Sequence, residues 1–337
     1  MRSTLAEHKD NKIIWYIAAT ALLLGLAYFA DLGEFVAALS NVDPFYMSLA
    51  VLSGMSVFLV WGYIWFSFFS KVGIDASLLK SYQMFMGGNF MNSVTPLGQL
   101  GGEPFMAYVI SENTDSSYEK ALSSVISSDL VNTIPFITYT AIIMIYVYFY
   151  GGVNTAIQAS MYAIVSIGLT IIAAGYMLWS RNQSVENVLR KVFNYAEKKL
   201  AKEKYVRVVR NKLREYRSAF ENAGEDRGHL IRMTIISHLF PLTQFLALYL
   251  IFLGMDISPN LIAIYFSVIL SGLAMFSPTP GGSGTFEATF SGVIMFFYPE
   301  IGLSTALATA ILFRLTTYWP GIPIGYISLM HLRGSRK

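Results

Sequence analysis

Two glutamates end two closely matched stretches that break the backbone. Glu103 ends TPLGQLGGE, which starts at Thr95, and Glu287 ends TPGGSGTFE, which starts at Thr279. In both, Thr-Pro is followed by Gly two residues after the Pro (Pro96 to Gly98, Pro280 to Gly282) and by Glu seven residues after it. The second stretch lies between the apolar runs LIAIYFSVILSGLAMF and ATFSGVIMFFY. A carboxylate in such a setting carries a proton or meets a polar or cationic ligand group. At bilayer depth an ionisable residue costs about 2.5–3.5 kcal/mol on insertion scales, which makes it a functional candidate by default. The competing structural use is capping, since an acid in the first turn of a helix is stabilised by the dipole there. Two acids at equal spacing in two stretches weigh towards ligand or proton handling.

The neighbouring residues extend the pattern. Gly101, Gly102, Gly281, Gly282 and Gly284 allow a ligand to approach the main chain closely. Glu103 precedes Pro104, a residue suited to the first helical position, so Glu103 is expected to cap a helix. Ser283 is expected to start another, with Glu287 in its first turn, just after Thr279 and Pro280. Helix N-termini of this kind present free N–H groups that cradle phosphate. Asp129 follows Glu103 by 26 residues and Arg314 follows Glu287 by 27, so two residues of opposite charge occupy equivalent places. They are expected to face each other, or Arg314 to hold an anionic group with its planar fork. The alternative is that each reaches water from the end of its span. Asn89, Asn92, Gln99 and Ser277 lie in the broken stretches, where they hydrogen-bond a ligand or the freed backbone. His238 is read as a packed, hydrogen-bonded residue, and Tyr318-Trp319-Pro320 as packing and a helix kink.

These residues need a membrane scaffold. Of 337 residues, 54% are hydrophobic and 13% charged, against about 25% charged in soluble domains. Several apolar runs reach the ~20 residues that span a bilayer as helix. Full spans are expected at about 13–30, 45–69, 121–149, 155–179, 230–253 and 303–329. The first follows Arg2, Lys9 and Lys12 and is read as an uncleaved span rather than a signal peptide. Residues 181–228 hold 13 Lys and Arg against 7 Asp and Glu, which places them in the cytoplasm. The same count puts both termini inside. Apolar residues recur at helical spacing through this basic loop, the pattern of helices lying on anionic inner-leaflet lipids or of a hairpin packed on the protein.

Residues 78–118 are too short between breaks to cross twice, and are read as a re-entrant hairpin. Residues 259–298 are read either as a matching hairpin from the other side or as two tilted spans. The expected fold is therefore an all-α polytopic membrane protein. It is one transmembrane domain, with a first half at 12–179, the loop at 181–228 and a second half at 229–332. The halves form an inverted repeat of about six full spans plus two broken hairpins. Paired Gly/Pro-interrupted segments in two such halves point to a transporter with its site near the midplane.

Several classes drop out. With no cysteine, disulfides and thiolate metal sites are excluded. No His cluster, paired metal-binding carboxylates or nucleophile beside a base supports a metal or catalytic site. GGSG lacks the Lys-Ser/Thr of a nucleotide-binding loop. No cofactor and no nucleic-acid partner are expected.

The PLGQLGGE stretch at Pro96 to Glu103, SSDL with Asp129, PTPGGSGTFE at 278–287 and FRLTTYWP…G from Phe313 to Gly325 resemble the flippase-like transmembrane family. This is the membrane region of lysylphosphatidylglycerol synthases, found also as stand-alone proteins in bacteria and archaea. The resemblance covers roughly 12–330 and implies movement of a charged or glycosylated lipid headgroup between leaflets. The sequence stops soon after its last span, so no soluble aminoacyl-transferase domain is expected. The resulting expectation is a multi-pass plasma-membrane flippase for a phospholipid, aminoacyl-phospholipid or polyprenyl-phosphate carrier. The alternative is a gradient-driven small-solute or ion transporter, and behind it an intramembrane lipid-phosphate enzyme. Lipid identity, direction, coupling and oligomeric state stay open.

Overall fold

Long uninterrupted apolar runs form the longest helices, and the Pro- and Gly-rich stretches at 96–102 and 280–284 lie between short ones. The computed structural model describes residues 32–94, 99–150, 155–179, 221, 224–274 and 277–334, all-helical with no strand among them. The first expected span, the basic loop up to 220, Thr95, Pro96 and Gly98 lie outside the described residues.

In chain order the helices are α1 (Leu32–Ser40), α2 (Pro44–Val72), α3 (Leu78–Val94), α4 (Gln99–Asn113), α5 (Tyr118–Tyr150) and α6 (Thr155–Trp179). There follow α7 (Arg227–Ser237), α8 (Leu239–Gly254), α9 (Leu261–Ala274), α10 (Thr285–Phe297), α11 (Leu303–Thr317) and α12 (Gly321–Gly334). Helix α1 was not anticipated. Among the described residues, three segments are long and apolar enough to cross a membrane: α2, α5 and the α7–α8 run Arg227–Gly254. At 1.5 Å per residue, the 29 residues of α2 and the 33 of α5 give about 43 and 50 Å, against a hydrocarbon core of about 30 Å.

The short helices sit where the sequence breaks. Helices α3 and α4 have 17 and 15 residues, and α9 and α10 have 14 and 13, which is about 20–25 Å each and below the span length. The kink expected at Tyr318-Trp319-Pro320 is a complete break. The expected span at 303–329 is thus two helices, α11 and α12, because Pro320 cannot continue the ladder. A milder interruption separates α7 from α8 at His238. Pro241 has no N–H to give the Ser237 carbonyl four residues back. His238 is packed as expected, with Nδ1 2.6 Å from the Thr234 carbonyl and its ring 5.7 Å from that of Tyr139.

The described residues belong to two compact units. One is built from Met1–Trp61, Gln83–Phe105 and Leu239–Lys337, and the other from Gly62–Tyr82 and Met106–His238. In the first, α9 and α10 pack as a hairpin, and α10 packs on α11. Its core joins Leu248, Ile251 and Phe252 of α8 to Ile264 of α9, Phe290 and Ile294 of α10 and Phe313 of α11. In the second, α6 and α7 lie along α5. Pro135 frees the Val131 carbonyl of α5; the buried Ser237 hydroxyl of α7 lies 3.5 Å from it and donates to the Thr234 carbonyl at 2.7 Å.

Candidate functional site

The second break folds around three left-handed glycines. Gly281, Gly282 and Gly284 have φ of 55°, 67° and 81°, a region open to glycine at no steric cost. The turn Pro280–Gly282 is 3-10, and α10 starts only after Gly284. Ser283 does not start the helix as expected. Its hydroxyl donates instead to the Pro280 carbonyl at 2.8 Å, and the capping position falls to Gly284. Glu287 takes over the cap from inside the helix, its Oε2 accepting from the Gly284 N–H at 2.7 Å. The Thr279 hydroxyl lies 2.9 Å from that of Ser277.

Arg314 closes the arrangement. Its Nη1 donates to Glu287 Oε1 at 2.6 Å and its Nη2 to the Gly281 carbonyl at 2.9 Å. Arg314 is 2% exposed and Glu287 3%, so the pair is fully desolvated. The guanidinium also lies over the Tyr318 ring at 4.0 Å and the Phe286 ring at 5.0 Å. The stacked rings of Phe286 and Phe313, interplanar angle 4°, continue the wall behind it. A planar cation between two aromatic faces with a bidentate set of acceptors is held in one orientation. The carboxylate that Arg314 pairs with is therefore Glu287, and the same guanidinium holds the Gly281 carbonyl of the break.

The end of α3 meets the second break in this unit. The Tyr318 hydroxyl donates to the Ser93 carbonyl at the end of α3, at 3.2 Å. The same Ser93 oxygen lies 2.9 Å from where a Gly281 Cβ would be, and the Tyr318 hydroxyl is closer still. Two broken chains and one tyrosine thus share a joint with no room for a methyl group. Tyr318 and Ser93 were not among the expected site residues. The available signal was that Tyr318 follows Arg314 by four residues, the spacing that stacks side chains on a helix.

On the first break, α4 begins at Gln99, so Glu103 is inside the helix rather than its cap. Gly102 lies against Asn92 of α3 so closely that a Cβ there would overlap Asn92 Oδ1. That oxygen is buried and has no hydrogen-bond partner. Glu103 is half-buried and makes no hydrogen bond to a described residue. The side chains of Gln99 and Gly101 are not among those described. Asp129 belongs to the other unit, half-buried on α5 beside buried Ser127 and Ser128.

The two glutamates are therefore not equivalent. Glu287 has a cation, a backbone N–H and a place in the core. Among the described residues Glu103 has no such hydrogen bonds, and the residue at the place equivalent to Arg314 in the first stretch is an acid, Asp129. No group of His, Asp or Glu able to hold a metal occurs among the described residues.

Residues 13–325 match the family described as the lysylphosphatidylglycerol synthase TM region. The chain is 26% identical over 330 residues to a UPF0104 membrane protein of Methanothermobacter thermautotrophicus, covering 96% of this chain and 95% of that one. It is 22% identical over 335 residues to the UPF0104 membrane protein PH1989 of Pyrococcus horikoshii, covering 96% and 98%. To the UPF0104 membrane protein MJ1595 of Methanocaldococcus jannaschii it is 24% identical over 336 residues, covering 95% and 94%. With so much of their length matched, these relatives have no room for a transferase domain.

Proposed function

We propose, for a chain that belongs to the lysylphosphatidylglycerol synthase transmembrane-region family, that it is a lipid flippase of the cell membrane. Its task is to move a phospholipid, aminoacyl-phospholipid or polyprenyl-phosphate headgroup between leaflets, without changing the lipid. The observation that carries this reading is the joint at Gly281, where Glu287 is locked by Arg314 while Glu103 makes no hydrogen bond to a described residue.

Irregular backbone at membrane depth is tolerated only where protein or a polar cavity surrounds it. The second break is satisfied from within by Arg314, Glu287 and Tyr318, so it serves as the rigid side. The first break offers Glu103 and the unpartnered Asn92 Oδ1, so it serves as the side that meets the headgroup. Two ionised glutamates would repel a lipid phosphate. Pairing Glu287 with Arg314 removes one of those charges, and Glu103 then contacts the amine or hydroxyl groups of the headgroup or carries the coupled proton. The order of long helix, broken hairpin and further helix occurs twice, as α2, α3–α4, α5 and as α7–α8, α9–α10, α11–α12. This supports an inverted repeat with re-entrant hairpins, and the basic 181–228 stretch supports cytoplasmic termini.

Leaflet exchange of fluorescent lipid analogues in reconstituted vesicles tests the proposal. A flippase changes the leaflet and leaves the lipid's mass unaltered, whereas an enzyme changes the mass.

A further inference from the structure

A second polar feature lies outside the broken hairpins, in the unit built on α5. The last turns of α2 and the first turns of α7 run antiparallel there. Lys71 pairs with Asp226, and the Phe68 ring meets His229 edge-on at 5.0 Å. Just past these contacts the two helices part around a groove of about 230 Å³, lined by Tyr63, Ser67, His229, Arg232, Met233 and Ile235 among others.

The lining is graded along its length. Ser67 and His229 lie towards the helix ends and Arg232 turns its Nε back towards them, while Tyr63, Ile235 and Ile236 lie about one to two turns deeper than Ser67 and His229, by the antiparallel register of Lys71 with Asp226. Arg232 is exposed, and its Nε donates to the Gly228 carbonyl at 3.3 Å. That leaves both Nη groups without a partner among the described residues. His229 is 3% exposed, and its Nε2 has no hydrogen-bond partner. Asp226 is already taken by Lys71, and no residue lining the groove is an acid, so the charge that lines the groove is positive. Deeper down, Ile235 is 66% exposed and Tyr63 44%, an apolar wall that suits hydrocarbon. A cation at the mouth and apolar walls below match one class of molecule, an anionic glycerophospholipid standing parallel to the helices.

We propose that this groove binds one anionic glycerophospholipid, its phosphodiester on Arg232 and near His229 and its acyl chain between Tyr63 and Ile235. With α7 starting at the basic cytoplasmic stretch, the bound lipid belongs to the inner leaflet. Only that leaflet assignment rests on the topology proposed above; the binding does not depend on the chain translocating lipid. The site is distinct from the basic 181–228 segment, since its chain-contacting residues lie within the apolar helices.

The test uses the full chain in nanodiscs doped with a phosphatidylglycerol analogue carrying a diazirine in one acyl chain, with crosslinked peptides mapped by mass spectrometry. The expected crosslinks fall on Tyr63 to Ser67 and Met233 to Ile236. Unlabelled phosphatidylglycerol should compete them away and phosphatidylcholine should not. Arg232→Gln, a change at an exposed side chain, should lower their yield about tenfold, the size of one lost charge-assisted contact. Ile235→Trp should lower it by filling the groove while leaving crosslinks elsewhere unchanged. Crosslinks absent from both segments, equal competition by phosphatidylcholine, or unchanged yield in Arg232→Gln would each overturn the proposal. Leaflet exchange plays no part in this readout, so a failure here and a failure of the flippase reading are told apart.

Discussion

Arg314 and Glu287, 27 residues apart on α11 and α10, form an ion pair of 2.6 Å that is shielded from solvent on all sides. Each partner is also fastened to main chain, Arg314 to the Gly281 carbonyl and Glu287 to the Gly284 N–H. The pair thus joins the start of one helix, the turn before it and the end of the next. Removing one partner of a buried pair leaves an uncompensated charge and costs about 3–5 kcal/mol. Glu287→Gln and Arg314→Gln should each lower the apparent melting temperature in detergent sharply. The double neutral variant should be more stable than either single one.

Charge reversal makes a sharper statement. Glu287→Arg with Arg314→Glu keeps a cation beside an anion but puts the cation against an N–H and the anion against a carbonyl. No recovery is expected in the melting temperature. Full recovery would mean that the backbone anchors contribute nothing.

Gly281→Ala should be among the most damaging small changes in the chain. A side chain is strained at φ 55°, and the new methyl would meet both the Tyr318 hydroxyl and the Ser93 carbonyl. Deleting the hydroxyl with Tyr318→Phe removes one of these obstacles and leaves the other. Partial rescue of the folded yield on size exclusion is the expected outcome for the pair, with Tyr318→Phe alone mild.

Much of this arrangement was legible from the residues. The recurrence of Thr-Pro, Gly and Glu at fixed spacing located both breaks, and long apolar runs located α2, α5, α6 and the α7–α8 segment. Charge pairing was the part misjudged. Equal spacing suggested that Glu103 and Glu287 play one role and that Arg314 faces Asp129 or a ligand. Sequence spacing does not show that the connection at 298–302 folds α11 back along α10 and brings Arg314 onto Glu287. Likewise the single-residue shift of the cap from Ser283 to Gly284 depends on left-handed glycine geometry, which composition alone leaves open. The break at Tyr318 was visible as Trp-Pro, but its bond to Ser93, 225 residues away, was not.

At the start of α7 in the other unit, Asp226 caps the helix by accepting from the His229 N–H at 2.9 Å. Its hydrogen bond with Lys71, followed by this capping bond, holds the Asp226 carboxyl down to about 2, below the usual 3.8. A depressed carboxylate stabilises the fold above its unfolded value and loses that contribution as pH falls towards its folded value. The protection of the amides at the start of α7, measured against their intrinsic exchange rates, should therefore fall between about pH 4 and pH 2. In Asp226→Asn that pH dependence should disappear, with protection already lowered at neutral pH.

Glu103 separates function from fold. It is half-buried and makes no hydrogen bond to a described residue, so Glu103→Gln should change stability by no more than about 0.5 kcal/mol, the range of substitutions away from buried networks. Its effect should appear in transport instead, where the carboxylate meets the headgroup or the proton.

The decisive measurement is leaflet exchange of short-chain fluorescent phosphatidylglycerol, aminoacyl-phospholipid and polyprenyl-phosphate analogues in proteoliposomes. Wild type, Glu103→Gln and empty vesicles are compared with and without a proton gradient. Fast exchange of one lipid class by wild type, lost in a Glu103→Gln protein that melts at the wild-type temperature, is the predicted result. Exchange no faster than in empty vesicles for every class, or undiminished in Glu103→Gln, would contradict it.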